Sequence, residues 1–120
     1  MNDISSRFKT LRSGISRTEK ETKGEKERVL IVDDLEGIRE ELKRILDKDS
    51  NLEVLTAESG EEALDIIRQC KGDFAYVNLD VIMPGINGFE TYEQMHREFP
   101  SLLAGFCTAY HGQRKTLEDV

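Results

Sequence analysis

Two short apolar runs in this chain each end on acid. Val29-Leu-Ile-Val32 leads into Asp33-Asp34, and Ala75-Tyr-Val-Asn-Leu79 leads into Asp80. Runs this short and this apolar read as strands covered on both faces, the pattern of a parallel sheet. Ligands of open α/β sheets bind beyond the carboxyl ends of the strands. Three carboxylates from two such ends can therefore meet at one point. Crowded carboxylates repel unless a cation sits among them, and short oxygen-only donors suit Mg²⁺.

The rest of the chain alternates strand and helix patterns, as βαβ units do. Ile38, Leu42, Ile45 and Leu46 lie on one face of a helix predicted over 36–47. Leu52 to Ala57 is a short second strand. Ser59, with Glu62 three residues on, forms a capping box for a helix carrying Ala63, Leu64, Ile66 and Ile67. Gly72 ends the connection to the third strand. Phe89, Tyr92, Met95 and Phe99 are expected on the buried side of a third helix that stops at Pro100, and Leu102 to Cys107 is a fourth strand. These rings and the methionine are expected in the core.

At 120 residues the chain suits one domain. Eight Lys/Arg against five Asp/Glu in residues 1–28 (net +3) contrast with nine against nineteen in 29–120 (net −10), together the −7 of the whole. An acidic globular part argues against nucleic-acid binding. Cys70 and Cys107 stand far apart, without metal or redox spacing, and read as two buried thiols in a reducing compartment. His96 and His111 also lack ligand spacing and read as a solvated helix residue and a loop residue. No stretch is apolar enough to span a membrane and no signal-peptide core follows Met1, so a cytoplasmic protein is expected.

Read together, Asp33-Asp34, Asp80 with Met83-Pro84-Gly85 and Gly88, and Thr108-Ala109 resemble the receiver domain of bacterial two-component response regulators. Each motif alone has an ordinary structural reading: a helix N-cap, a rigid turn, an end-of-strand hydroxyl. Their order and spacing carry the resemblance, which runs from about Arg28 to Val120. It implies a flavodoxin-like α/β fold, a doubly wound parallel sheet of order 2-1-3-4, over a domain 29–120. It also implies that Asp80 accepts a phosphoryl group from a sensor histidine kinase or phosphotransfer protein. Mg²⁺ would be held by Asp33, Asp34, Asp80 and the carbonyl of Ile82. Thr108 and Ala109 would bind phosphoryl oxygens, Thr108 also serving as the switch. Ile82 and Tyr110 occupy positions that set phosphoryl lifetime in the family, and an apolar and a bulky residue there imply slow self-dephosphorylation. Such a domain modifies itself and is not a turnover enzyme.

The family continues after Thr-Ala with a fourth helix, a fifth strand ending in Lys-Pro and a last helix; this chain stops at Val120, about where the fourth helix would begin or be under way, and Lys115 is too close to Thr108 to replace that Lys. The domain is thus expected to be C-terminally incomplete. A non-switching interaction or dimerisation module is the alternative function. A metal-dependent phosphatase is a third, disfavoured because Asp80 lacks an Asp-x-Asp arrangement. Residues 1–28 form a separate extension. Ile4, Phe8, Leu11 and Ile15 make an amphipathic stripe among Arg7, Lys9, Arg12 and Arg17, followed by a charged linker. The stripe could dock on an uncovered face, pair in a homodimer, or lie on an anionic membrane. Two departures stand out: Asn78 is polar where the family places an aliphatic residue, and Gly105 should weaken the fourth strand.

Overall fold

A computed structural model describes residues 26–107. Residues 1–25, with the amphipathic stripe, and 108–120, with Thr108, Ala109, Tyr110, His111 and Lys115, lie outside the described residues. The elements alternate without exception: β1 (Glu27–Val32), α1 (Glu36–Leu46), β2 (Leu52–Ala57), α2 (Gly60–Gln69), β3 (Tyr76–Asp80), α3 (Gly88–Glu98) and β4 (Ala104–Cys107). The strands form one parallel sheet in the order β2-β1-β3-β4. This is the doubly wound order that the resemblance implies.

Alternation along β1 shows why its run had to be apolar throughout. Leu30 and Val32 join a core with Ala63, Leu64 and Ile67 of α2 and Met95 of α3. Val29 and Ile31 join a second core with Leu42 and Leu46 of α1. All four strand residues are at most 1% exposed, so each contributes roughly 1.5–3 kcal/mol by burial. Central β1 has helices on both sides, and polar alternation would have left one core open.

Local signals set the helix starts. The Ser59 hydroxyl accepts from the Glu62 N–H at 3.0 Å. The return arm differs from the expected box: the Glu62 carboxylate accepts from the Glu58 N–H at 2.7 Å, one residue earlier. A full box occurs instead at α3, where Asn87 and Glu90 each accept from the other's backbone N–H at 2.9 Å. The Asn-x-x-Glu spacing was there to be read.

Three expectations about packing need correcting. Phe89 is 49% exposed rather than in the core, while Met95 is fully buried and Tyr92 half-buried. Steps of three residues undershoot a helical turn by about 60° each, so from Phe89 to Met95 the stripe rolls from solvent to core. Cys70 and Cys107 are free thiols, half-buried rather than buried. Gly105 does not merely weaken β4: a Cβ there would collide with the Tyr76 hydroxyl, so the missing side chain is the space a buried phenol fills. β4 itself starts at Ala104, two residues later than expected, because Leu102 belongs to a turn bonded to the Phe99 carbonyl. Helix α1 ends one residue early, with Asp47 as its cap.

Candidate metal centre

β1 and β3 are neighbours in register, Val32 opposite Leu79. The residues that follow, Asp33-Asp34 on one strand and Asp80 on the other, therefore emerge side by side. One carboxylate oxygen from each of Asp33, Asp34 and Asp80 lies within 4.8 Å of the others. Asp33 and Asp80 are buried, at 4% and 3% exposure, and Asp34 is half-buried. The structure brings together the three acids singled out in the sequence.

Backbone bonds hold Asp33, and strand pairing holds Asp80. The Asp33 N–H donates to the Ala57 carbonyl at 3.1 Å, carrying the β1–β2 ladder one residue past the strand. The Asp33 carboxylate accepts from the Leu35 N–H at 2.9 Å, and Arg39 donates to its carbonyl at 2.9 Å. The ordinary N-cap reading of the pair is not met: the N-cap of α1 is Leu35, without a side-chain cap, and Oδ1 of Asp33 instead accepts from the Leu35 N–H ahead of the helix. Asp80 closes β3 between β1 and β4, opposite Cys107.

The loop after Asp80 is anchored at both ends and in the middle. The Val81 N–H donates to the Cys107 carbonyl at 3.4 Å, and the Gly88 N–H to the Val81 carbonyl at 2.9 Å. Met83 plugs into the core shared with α2 and α3. A carboxylate oxygen of Glu61 on α2 accepts from the Ile86 N–H at 3.3 Å, a contact between distant residues that no local pattern signals. Gly88 is required by close approach: a Cβ would lie 2.9 Å from the Val81 Cα and run into the Asp80 carbonyl. Ile82 is half-buried in this loop. Because the Cys107 carbonyl bonds to Val81, the end of β4 lies beside Asp80.

Like charges this close repel by roughly 3–4 kcal/mol per pair at an effective dielectric near 20. The donors fit a hard divalent cation. All are oxygens, no His or Cys stands among them, and Mg²⁺ at about 2.1 Å from its ligands needs oxygens roughly 3–4.2 Å apart. The observed spread of up to 4.8 Å lies close to that range.

Comparison with known proteins finds relatives of this fold. The family model for the response regulator receiver domain matches residues 29–120. A protein-glutamate methylesterase/protein-glutamine glutaminase of Pyrococcus abyssi is 40% identical over 78 residues, 64% of this chain and 21% of its own length. The transcriptional regulatory protein YvrH of Bacillus subtilis is 38% identical over 68% of this chain and 33% of its own. The chain thus spans a fifth to a third of the curated relatives it matches. A receiver domain structure from Clostridium thermocellum superposes with TM-score 0.63 at 28% identity, covering 67% of this chain and 63% of that one. TrrA of Thermotoga maritima, in complex with Mg²⁺-BeF, superposes with TM-score 0.59 at 39% identity over 76% of both chains. In a second structure TrrA is in complex with the histidine kinase ThkA, with TM-score 0.61. Among the described residues no helix is long and apolar enough to cross a membrane. This chain belongs to the response regulator receiver domain family.

Proposed function

We propose that this receiver accepts a phosphoryl group on Asp80 from the phosphohistidine of a sensor kinase or phosphotransfer protein in the cytoplasm, and relays the change to a partner. The observation that carries the reading is the convergence of Asp33, Asp34 and Asp80 at adjacent strand ends. A carboxylate oxygen of Asp80 attacks phosphorus, the phosphorus–nitrogen bond breaks, and the imidazole leaves with the electron pair. The product is an acyl phosphate. Asp80 is buried and closes β3 opposite Cys107, so its carboxylate is positioned in advance. Asp33, Asp34, Asp80 and the Ile82 carbonyl would hold Mg²⁺. That ion, when bound, neutralises charge developing on the phosphoryl oxygens. The Thr108 hydroxyl and the Ala109 N–H supply hydrogen bonds to those oxygens. Ile82 and Tyr110 restrict water at the acyl phosphate and lengthen its life. TrrA supports the cation and the donor class, having been captured with Mg²⁺-BeF and with a histidine kinase.

The test is to incubate the chain with Mg²⁺ and acetyl phosphate and measure its intact mass. One phosphoryl group should add, and the addition should be lost on Asp80→Asn or without Mg²⁺. No mass gain from this donor or a kinase would leave the interaction-module reading, which the exposed rings of Phe89 and Phe106 favour. Sustained phosphate release from unrelated monoesters would instead point to a hydrolase. If phosphorylation occurs, an acyl phosphate surviving only seconds would contradict the roles given to Ile82 and Tyr110.

A further inference from the structure

Asp33 is bonded at its N–H, its carbonyl and its carboxylate. The N–H donates to the Ala57 carbonyl at 3.1 Å, and the carboxylate accepts from the Leu35 N–H at 2.9 Å. The carbonyl accepts from Nη1 of Arg39, also at 2.9 Å. The first bond continues the β1–β2 ladder and the second closes a turn of two residues. The third is different in kind, because a side chain reaches back from α1 to make it.

Arg39 stands where local preference would not put a cation. It is the fourth residue of α1, near the positive end of the helix dipole, where a carboxylate such as Glu36 is favoured and a guanidinium is not. The Arg39 N–H already bonds to the Leu35 carbonyl at 3.0 Å, so the helix start does not depend on the side chain. Long helical side chains lean toward the N-terminus of their helix. That direction carries the guanidinium to the end of β1, where Arg39 is half-buried. What it meets there is the peptide joining the two acids.

A peptide unit is planar, so its oxygen, its nitrogen and the Cα on either side move together. Holding the Asp33 carbonyl from α1 therefore also places the Cα of Asp34, which lies past the end of the strand. Asp34 is the half-buried member of the three acids, and its carboxylate must stay within reach of Asp33 and Asp80 for all three to share one ion.

We propose that Arg39 is a positioning residue for the acid cluster: its guanidinium pins the Asp33–Asp34 peptide and so keeps the Asp34 carboxylate within the 4.8 Å grouping with Asp33 and Asp80. The role rests on reading those acids as a Mg²⁺ site. Arg39 touches neither the ion nor the phosphoryl group; it acts through the backbone between two ligands, as outer-shell partners of a metal site do. Its charge alone would act in the opposite sense. A guanidinium bonded to Asp33 repels an incoming cation, so by Coulomb's law its removal should tighten Mg²⁺ binding. Loss of positioning should weaken it. The sign of the change separates the two.

Titration of the full chain with Mg²⁺, followed through the amide resonances of residues 33–35 and 80–82, tests this. Arg39→Met keeps a long apolar stem and removes the donors, and its dissociation constant for Mg²⁺ should be about three to ten times that of the unaltered chain. Arg39→Lys keeps a charged donor of similar reach and should stay within about twofold of the unaltered chain. In chelator, Arg39→Met should move the resonances of residues 33–35 and leave those of α2 and α3 in place. Tighter Mg²⁺ binding by Arg39→Met would reduce Arg39 to a charge and overturn the proposal. Unchanged Mg²⁺ binding with a lowered Tm would make it a residue of the fold and overturn it too. Arg39→Lys as weak as Arg39→Met would show that a donor at Asp33 is not what the site uses, with the same consequence. An unaltered chain that binds no Mg²⁺ would overturn the metal reading itself and this role with it, a pattern distinct from every defect confined to Arg39.

Discussion

The strand ends that carry Asp33 and Asp80 and the outer face of α3 are close neighbours, joined by the Gly88 N–H to Val81 bond, yet they depart from ordinary burial in opposite senses. At the strand ends, two carboxylates are almost wholly buried beside a third. On α3 and β4, two phenylalanine rings face outward. Neither departure stabilises the described fold alone. Buried like charges cost several kcal/mol, and exposed rings forgo the burial that Met95, two turns along the same helix, obtains. Between them lies the ordinary interior, where every polar start and apolar run does what its local pattern requires. The lesson is that the sign of each break narrows what would relieve it: buried like charges call for a compensating cation, exposed rings for apolar cover.

The comparison can be broken most severely at the acids. If the repulsion is relieved by a cation, Mg²⁺ at ten times its dissociation constant should stabilise the protein by about 1.4 kcal/mol, a rise of roughly 5–10 °C in Tm. Asp34→Asn should abolish most of that rise while raising Tm in chelator. A thermal shift series in Mg²⁺ reads both, and equal Mg²⁺ responses in the two proteins would remove Asp34 from the site.

The bridge between the regions comes next. Gly88→Ala should cost about 1 kcal/mol, lowering Tm by roughly 4–8 °C, because its methyl would press on Val81 and the Asp80 carbonyl. It should slow acetyl phosphate labelling in the same protein, since the acceptor strand end must move. Unchanged labelling would show that the strand end tolerates the shift.

The smallest effect is expected at the seam of α2 and α3, an exposed pair away from both regions. Arg68 donates to both carboxylate oxygens of Glu98 at 2.8 and 2.7 Å. These hydrogen bonds hold the Glu98 carboxyl below its usual range and raise the Arg68 guanidinium, whose hydrogen bond to Glu98 is the largest cause. A depressed folded-state pKa stabilises above the unfolded value and is lost as pH falls through the folded one. The Tm difference between the unaltered chain and Glu98→Gln should therefore be small at neutral pH and vanish in acid. Solvent screening keeps it small, and added salt should erase it.

Much of this was legible in the sequence, for identifiable reasons. The two central strands and the three acids followed from apolar runs ending on charge, because a parallel sheet must be apolar on both faces and leaves its polar residues at its ends; the strand order came from the family resemblance. Ser59 was readable because capping is local. What was not readable depended on neighbours distant in sequence. Phe89 fits the spacing of a buried stripe, but the roll of α3 turns it outward. Gly105 looked like a weakness until Tyr76, on the adjacent strand, was seen to fill its space. Glu61 reaching Ile86 from another helix had no sequence signal at all. Asn87 with Glu90 did have one, obscured by the glycine between them.

The central claim is that three carboxylates form one Mg²⁺-dependent acceptor with Asp80 as its nucleophile. The most direct test is to locate the phosphoryl group. After labelling with acetyl phosphate, borohydride reduction converts an acyl phosphate to a stable alcohol that peptide sequencing by mass spectrometry can place. The account predicts reduction at Asp80, dependent on Mg²⁺ and absent from Asp33 and Asp34. Label on another carboxylate, or label at Asp80 that forms equally well in chelator, would contradict it.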